Sequence, residues 1–178
     1  MNEKYLGAVY AARASNGARV AVKVIELDRP GVNQHLVEAY LNEVQHLERL
    51  RKQSHHVVRI YDFDFDGQSG RGRNINLHRV NIHYWSIQLG YIVMELGGDN
   101  LSALIDRSRA AGRHPTGPGM YTDPVLRRIA WRQLVSIVRT LTSNNIVHMD
   151  LKPDNIIAFG RTLKIADLGI SKKTDMLG

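Results

Sequence analysis

The sequence contains no cysteine. That excludes disulfide frameworks, thiol nucleophiles and cysteine-ligated zinc in one step, and it suits a cytosolic or nuclear setting, where disulfides are rare. Also missing is any apolar run of the roughly 20 residues that a bilayer-spanning helix needs. Residues 1–10 lack the continuous apolar core of a signal peptide, so no membrane partner is expected. Aromatic residues are sparse at 7%, and nothing resembles an aromatic stacking platform for nucleic-acid bases. There is no internal repeat and no long low-complexity segment. What remains is a chain of 178 residues, 43% hydrophobic, long enough for one large domain or two small lobes around a packed core. Basic residues outnumber acidic ones, 24 against 17, for a net charge of +7. Such an excess can serve a nucleic-acid or membrane-surface partner. A solvated basic face is the plainer reading, and no specific nucleic-acid binding is expected.

Turn and breaker signals divide the chain. Residues 6–12 and 18–26 are rich in β-formers, with Ser15-Asn16-Gly17 as the turn between them. Pro30-Gly31 interrupts, and over 33–51 the apolar residues Val37, Tyr40, Leu41, Val44, Leu47 and Leu50 recur at helical spacing. Strands are predicted over 57–65 and 90–96. Between them, 66–89 is rich in Gly, Arg and Asn and reads as a long surface loop. Its Arg71, Arg73, Arg79, His78 and His83 could meet an acidic partner, although a solvated insertion is the plainer reading. Gly97-Gly98 forms a short hinge, 101–111 a short helix, and 114–119 a breaker-rich run. Asp123 then caps a long helix with Pro124 in its first turn. Leu126, Ile129, Ala130, Leu134, Ile137, Val138 and Leu141 are its expected buried stripe, and Asn144-Asn145 ends it. Two short strands, 156–159 and 163–166, precede a tail. A β-rich part with one helix, a hinge, then a helical part predict a two-lobed α+β fold with a cleft at the hinge.

The densest chemical signal is His148-Met149-Asp150-Leu151-Lys152-Pro153-Asp154-Asn155. It resembles the protein-kinase catalytic loop. Phosphoryl transfer to a hydroxyl needs a carboxylate for the hydroxyl proton and, five residues on, an amide oxygen for Mg²⁺; Asp150 and Asn155 have that separation. Lys152 can offset charge on the migrating group, and His148 is expected to hold the loop. Twelve residues after Asn155 stands Asp167-Leu168-Gly169. It resembles the D-F-G element, with Asp167 as the Mg²⁺ ligand and Leu168 where Phe is usual.

Val20-Ala21-Val22-Lys23 resembles the strand whose lysine contacts the α- and β-phosphates. Alternation puts Lys23 on the face opposite Val20 and Val22. Glu43, 20 residues later, is the candidate partner that orients Lys23, preferred over Glu38 and Glu48 because it sits beside the apolar stripe. The glycine-rich loop is the weakest match. Gly7 and Val9 fit its end, while its first two glycine positions fall on Asn2 and Lys4. Val9 and Ala21 are expected to sandwich the adenine, Met94 to border the back of the pocket, and the backbone of Glu95 and Leu96 to bond the adenine edge.

Together with Leu41-Asn42-Glu43-Val44, Val58-Arg59-Ile60-Tyr61-Asp62-Phe63, Tyr91-Ile92-Val93-Met94-Glu95-Leu96-Gly97, Asp99-Asn100-Leu101 and Ile146-Val147-His148, these motifs resemble the monopolar-spindle dual-specificity kinases. That family also lacks the arginine before the catalytic Asp, here Met149, and with it the usual grip on an activation-loop phosphate. The resemblance implies ATP and Mg²⁺ as cofactors, and Ser, Thr and sometimes Tyr hydroxyls of kinetochore proteins as substrates. It implies a role in the spindle checkpoint and chromosome segregation, and a nuclear or cytoplasmic location that includes kinetochore and spindle. The organisation it implies is one partial kinase domain: an N-lobe over 1–96 with the 66–89 insertion, and a hinge and first part of the C-lobe over 97–178. Nine residues follow Gly169, so the remainder of the C-lobe is expected to be absent and apolar surface on the 124–144 helix to be exposed. Two other readings stay open: a catalytically inactive kinase-like scaffold, and a basic nucleic-acid module resting on charge alone.

Overall fold

A computed structural model of the chain describes residues 7–26, 34–65, 89–111 and 123–173. Asn2 and Lys4 of the expected glycine loop, residues 66–88 of the expected 66–89 insertion, and the 114–119 breaker run lie outside the described residues. The chain divides into two compact units, Met1–Glu48 with Arg59–Leu96, and Arg49–Val58 with Gly97–Gly178.

The first unit contains β1 (Gly7–Arg13), β2 (Arg19–Glu26), nearly all of α1 (Gln34–Leu50), β3 (Ile60–Phe65) and β4 (Leu89–Glu95). The strands form one antiparallel sheet in the order β1-β2-β4-β3. The β1–β2 turn closes where Ala14 N donates to Ala18 O at 2.8 Å and Asn16 Oδ1 accepts from Ala18 N at 3.0 Å. Gly17 takes φ 83° there, a left-handed conformation that a residue without Cβ adopts at little cost. Opposed residues share a face and neighbours along a strand alternate. The register Val9↔Lys23, Ala21↔Met94 and Lys23↔Ile92 therefore gathers Val9, Ala21, Lys23, Ile92 and Met94 on one face. The other face carries a core of Val20, Val22 and Val93, packed by Ala12, Ala14, Val24 and Tyr91. On α1, Tyr40, Val44, Leu47 and Leu50 are buried. Leu41, counted in the expected stripe, is 38% exposed; at about 100° per residue it turns away from the line through Val44 and Leu47.

The second unit contains α2 (Leu101–Ala111), α3 (Pro124–Thr142), β5 (Ile146–Val147), a single 3₁₀ turn (Pro153–Asn155), β6 (Ile156–Phe159), β7 (Thr162–Ile165) and β8 (Lys172–Lys173). Asn100 Oδ1 caps α2 through Ala103 N at 2.8 Å, and Asp123 Oδ1 caps α3 through Val125 N at 2.7 Å. On α3 the buried line is Ala130, Ile137 and Leu141. Ile129 and Val138, expected to join it, are 43% and 41% exposed. They stand about 100° to either side of that line, too far round to share its burial. Asn145 (φ 57°) ends the segment in the left-handed region, with Asn144 buried behind it and its Nδ2 donating to Gln53 Oε1 at 2.8 Å.

β6 and β7 form an antiparallel hairpin. Gln133 of α3 grips it with both ends of its amide, Nε2 donating to Arg161 O at 2.8 Å and Oε1 accepting from Leu163 N at 2.7 Å. The expected strand over 57–65 begins only at Ile60. Val57 makes a parallel bridge to Ile165 instead, with Val58 N bonded to Ile165 O at 3.0 Å and Ile165 N to His56 O at 2.9 Å. The strand over 163–166 thus has a neighbour on each side, and Leu163 and Ile165 are fully enclosed. Among the described residues no helix is long and apolar enough to cross a membrane.

Candidate active site

The catalytic-loop residues sit between β5 and β6. β5 is paired with β8, and it delivers the chain to His148, which is buried. The Nδ1 of His148 accepts from Asp150 N at 3.2 Å, while its Nε2 is buried. Burial lowers the histidine's pKa below its ordinary value, against the opposing pull of the Asp167 and Asp150 carboxylates. Met149 takes φ 67°, a left-handed bend that turns the chain sharply between His148 and Asp150. Pro153 then fixes φ at the start of the 3₁₀ turn, which closes through Asn155 N to Lys152 O at 3.1 Å.

This folding brings Asp150, Lys152 and Asn155 together. Lys152 Nζ lies 2.6 Å from Asp150 Oδ2. Asn155 Nδ2 donates to the Asp150 backbone O at 3.0 Å and to its Oδ2 at 3.3 Å. Both partners hold Asp150 ionised: Lys152 first, then Asn155, lower its pKa, and the Asp150 carboxylate in turn raises that of Lys152. Since the Asn155 NH₂ faces Asp150, its Oδ1 turns the other way as an acceptor.

Asp167 follows β7 directly. Ala166 N donates to Asn155 O at 3.1 Å, so the residue before Asp167 is fastened to the end of the catalytic loop. Gly169 N donates to Asp167 Oδ1 at 3.2 Å. Leu168 is fully buried, and its carbonyl accepts from Ser171 Oγ at 2.6 Å. A fully buried leucine thus stands at the position where the kinase pattern has Phe. No group of three or more His, Asp or Glu side chains among the described residues could hold a metal ion. A pair of hard oxygen donors, the Asp167 carboxylate and the Asn155 amide oxygen, fits Mg²⁺, which keeps several waters and needs few protein ligands.

In the first unit, Lys23 Nζ lies 2.7 Å from both carboxylate oxygens of Glu43. Glu43 is 1% exposed. A buried carboxylate is tolerated only when a cation and hydrogen bonds satisfy it, so the pair locks one α1 position against β2. Ala21 and Met94 are buried on the same sheet face, and Val9 is exposed there. Gly7 is the first residue of β1, opposite Ile25. Glu95 is tied to Arg59 twice, its N donating to Arg59 O at 3.0 Å and its Oε1 accepting from Arg59 N at 2.7 Å. Its N–H is therefore already engaged, and Leu96, half-buried, follows it.

Two features escaped the sequence reading. Tyr40 reads in sequence as one more apolar position, yet its hydroxyl shares its one proton between the carbonyls of Asp64 at 2.9 Å and Tyr91 at 3.1 Å. The only available signal was a Tyr three residues before Glu43. The Arg59–Glu95 clasp gave no local signal, since its partners are distant in sequence.

Residues 5–176 match the family model described as "Protein kinase domain". The chain is 30% identical over 166 residues to "Probable serine/threonine-protein kinase mps1" of Dictyostelium discoideum, covering 93% of this chain and 14% of that protein. It is 28% identical over 153 residues to "Dual specificity protein kinase Ttk" of Danio rerio, covering 86% and 12%. To "Serine/threonine-protein kinase ULK3" of Homo sapiens it is 28% identical over 168 residues, covering 92% and 29%. The chain thus spans less than a third of the length of each of these relatives.

Proposed function

Because the chain belongs to the protein kinase family, we propose that it binds Mg²⁺-ATP and takes part in transferring the γ-phosphoryl group to protein hydroxyls. The observation that carries this is the Asp150 carboxylate, kept ionised by Lys152 at 2.6 Å and oriented by Asn155. Asp150 orients the attacking hydroxyl and accepts its proton. Lys152 offsets negative charge on the transferring group. Lys23, aligned by Glu43, binds phosphate oxygens. Val9, Ala21 and Met94 offer apolar contact to the base, and the Glu95 and Leu96 backbone offers it polar contact. Asn155 and Asp167 would hold Mg²⁺, which would supply neutralisation of the phosphate charge.

The substrates we propose are Ser and Thr, with Tyr as a further acceptor, since dual specificity is in the name of one relative and the quoted motifs resemble the monopolar-spindle family. The same resemblance supports a role in spindle checkpoint signalling and chromosome segregation, with kinetochore proteins as partners and a nuclear or cytoplasmic location. Tagged protein followed through mitosis tests this last part: enrichment at kinetochores supports it, and exclusion from them removes it.

The nucleotide site is tested by melting the chain with and without millimolar Mg²⁺-ATP, beside Lys23→Met and Asp167→Asn. Ligand at 100 times its dissociation constant stabilises a fold by about 2.7 kcal/mol, a shift of a few degrees. A Mg²⁺-dependent shift lost in both variants is expected. No shift in a chain that melts cooperatively would favour a kinase-like scaffold that transfers nothing.

A further inference from the structure

We infer that Tyr40 is a positioning residue for the Lys23–Glu43 pair, acting through its hydroxyl bonds to the sheet. Tyr40 and Glu43 are three residues apart on α1, which places them side by side on one helix face. Both are buried to 1% exposure. The Tyr40 hydroxyl reaches the carbonyl oxygens of Asp64 on β3 and Tyr91 on β4, at 2.9 and 3.1 Å. Asp64 and Tyr91 are register partners, so the hydroxyl grips the sheet where two strands are already joined. Burial, reinforced by the Asp64, Glu43 and Asp62 carboxylates, raises the phenol's pKa and keeps it protonated as a donor.

Geometry then divides the labour. Glu43 ties α1 to β2 through Lys23. Tyr40 adds a second point one turn earlier, anchored to different strands. Two anchors on different strands fix the helix's rotation as well as its distance. An ion pair with both oxygens at 2.7 Å needs that rotation held, because a small twist of α1 swings the carboxylate away from Lys23. A tyrosine kept only for packing would have no need to bury its hydroxyl against two backbone carbonyls, since phenylalanine fills the same volume without a polar group to satisfy.

The role deepens the nucleotide-site reading and takes its functional meaning from it, but the ion pair can be read without nucleotide. The test is trace acylation of Lys23 by acetic anhydride, quantified by mass spectrometry on the whole chain, in Tyr40→Phe, Glu43→Gln and the double variant. An ammonium released from its carboxylate loses its proton more readily and reacts faster. Tyr40→Phe should raise Lys23 reactivity several-fold, Glu43→Gln should raise it further, and the double variant should match Glu43→Gln alone. Val93→Ala, on the opposite sheet face, is the control for destabilisation, and should lower the melting temperature with Lys23 reactivity unchanged. The inference is overturned if Tyr40→Phe behaves like that control, or if its increment persists in full on the Glu43→Gln background. Mg²⁺-ATP binding by the same proteins keeps the two readings apart. If the unsubstituted chain binds no nucleotide while the labelling pattern holds, the nucleotide site falls and the positioning role stands.

Discussion

At the scale of single residues, the proposed chemistry turns on Asp150 and Lys152, with His148 close enough to feel the Asp150 charge. Asp150→Asn removes the proposed proton acceptor but leaves Lys23, Asn155 and Asp167 in place. It should slow phosphoryl transfer by about 10²–10⁴-fold with nucleotide affinity nearly unchanged, and a steady-state assay beside a binding titration checks this. Lys152 is the main reason the Asp150 pKa is lowered. In Lys152→Ala the Asp150 titration midpoint should therefore rise toward its ordinary 3.8, as followed by carbon-13 NMR of the carboxyl. His148 is shifted the same way for another reason, burial. The folded state then binds that proton less readily than the unfolded chain. His148 thus contributes full stability above its ordinary 6.5, and that contribution declines as the pH drops below it. Urea midpoints at about pH 7.5 and about pH 5.5 should show this loss, and His148→Asn should reduce it. All three residues stood in the sequence motif. The burial of His148 did not, because it depends on which groups surround the ring.

At the scale of elements, the termini are where sequence and stability meet most directly. Asp123 was legible as a cap from its type and the following proline, and its Oδ1 does accept from Val125 N. Asp123→Ala should cost about 1 kcal/mol, measurable as a lowered denaturation midpoint. The sequence marks Gly97 only as part of a hinge. A Cβ there would lie 2.4 Å from Ile157 Cγ2 and 2.9 Å from Phe159 Cζ. Branched isoleucine gives way poorly, so Gly97→Ala should destabilise the second unit by about 1–3 kcal/mol. Periodicity located both long helices, because many residues repeat the same spacing. It overstated their buried faces at Leu41, Ile129 and Val138, because the pattern shows which residues are apolar and not how wide a stripe the neighbours cover. It missed β5 and β8 as strands altogether. Two residues each are too few to show alternation, and their pairing joins Ile146–Val147 to Lys172–Lys173.

At the scale of the whole molecule, the sheet order β1-β2-β4-β3 and the β6–β7 hairpin follow from strands that are near in sequence or strongly patterned. What the sequence hid is the membership of 49–58 in the second unit. Residues 57–58 look like the start of β3, and only a partner far along the chain claims them. His56 completes that attachment, with Nδ1 2.9 Å from Leu163 O in a buried setting. His56→Ala leaves a buried carbonyl without a partner and should cost about 1–3 kcal/mol in global stability, read from equilibrium unfolding.

That attachment also sets a timetable for synthesis. His56 leaves the ribosome 107 residues before Leu163, its partner. At about 5–20 residues per second, the segment waits about 5 to 20 s with its pairing unmet. The last two strands of the first sheet, β3 and β4, are translated during that wait, since β4 ends at Glu95. A nascent chain stalled once β4 has emerged but before Leu163 has would therefore carry a finished first sheet interrupted by an apolar Val57-Val58 stretch with no strand to join, which is the kind of surface a ribosome-bound chaperone shields.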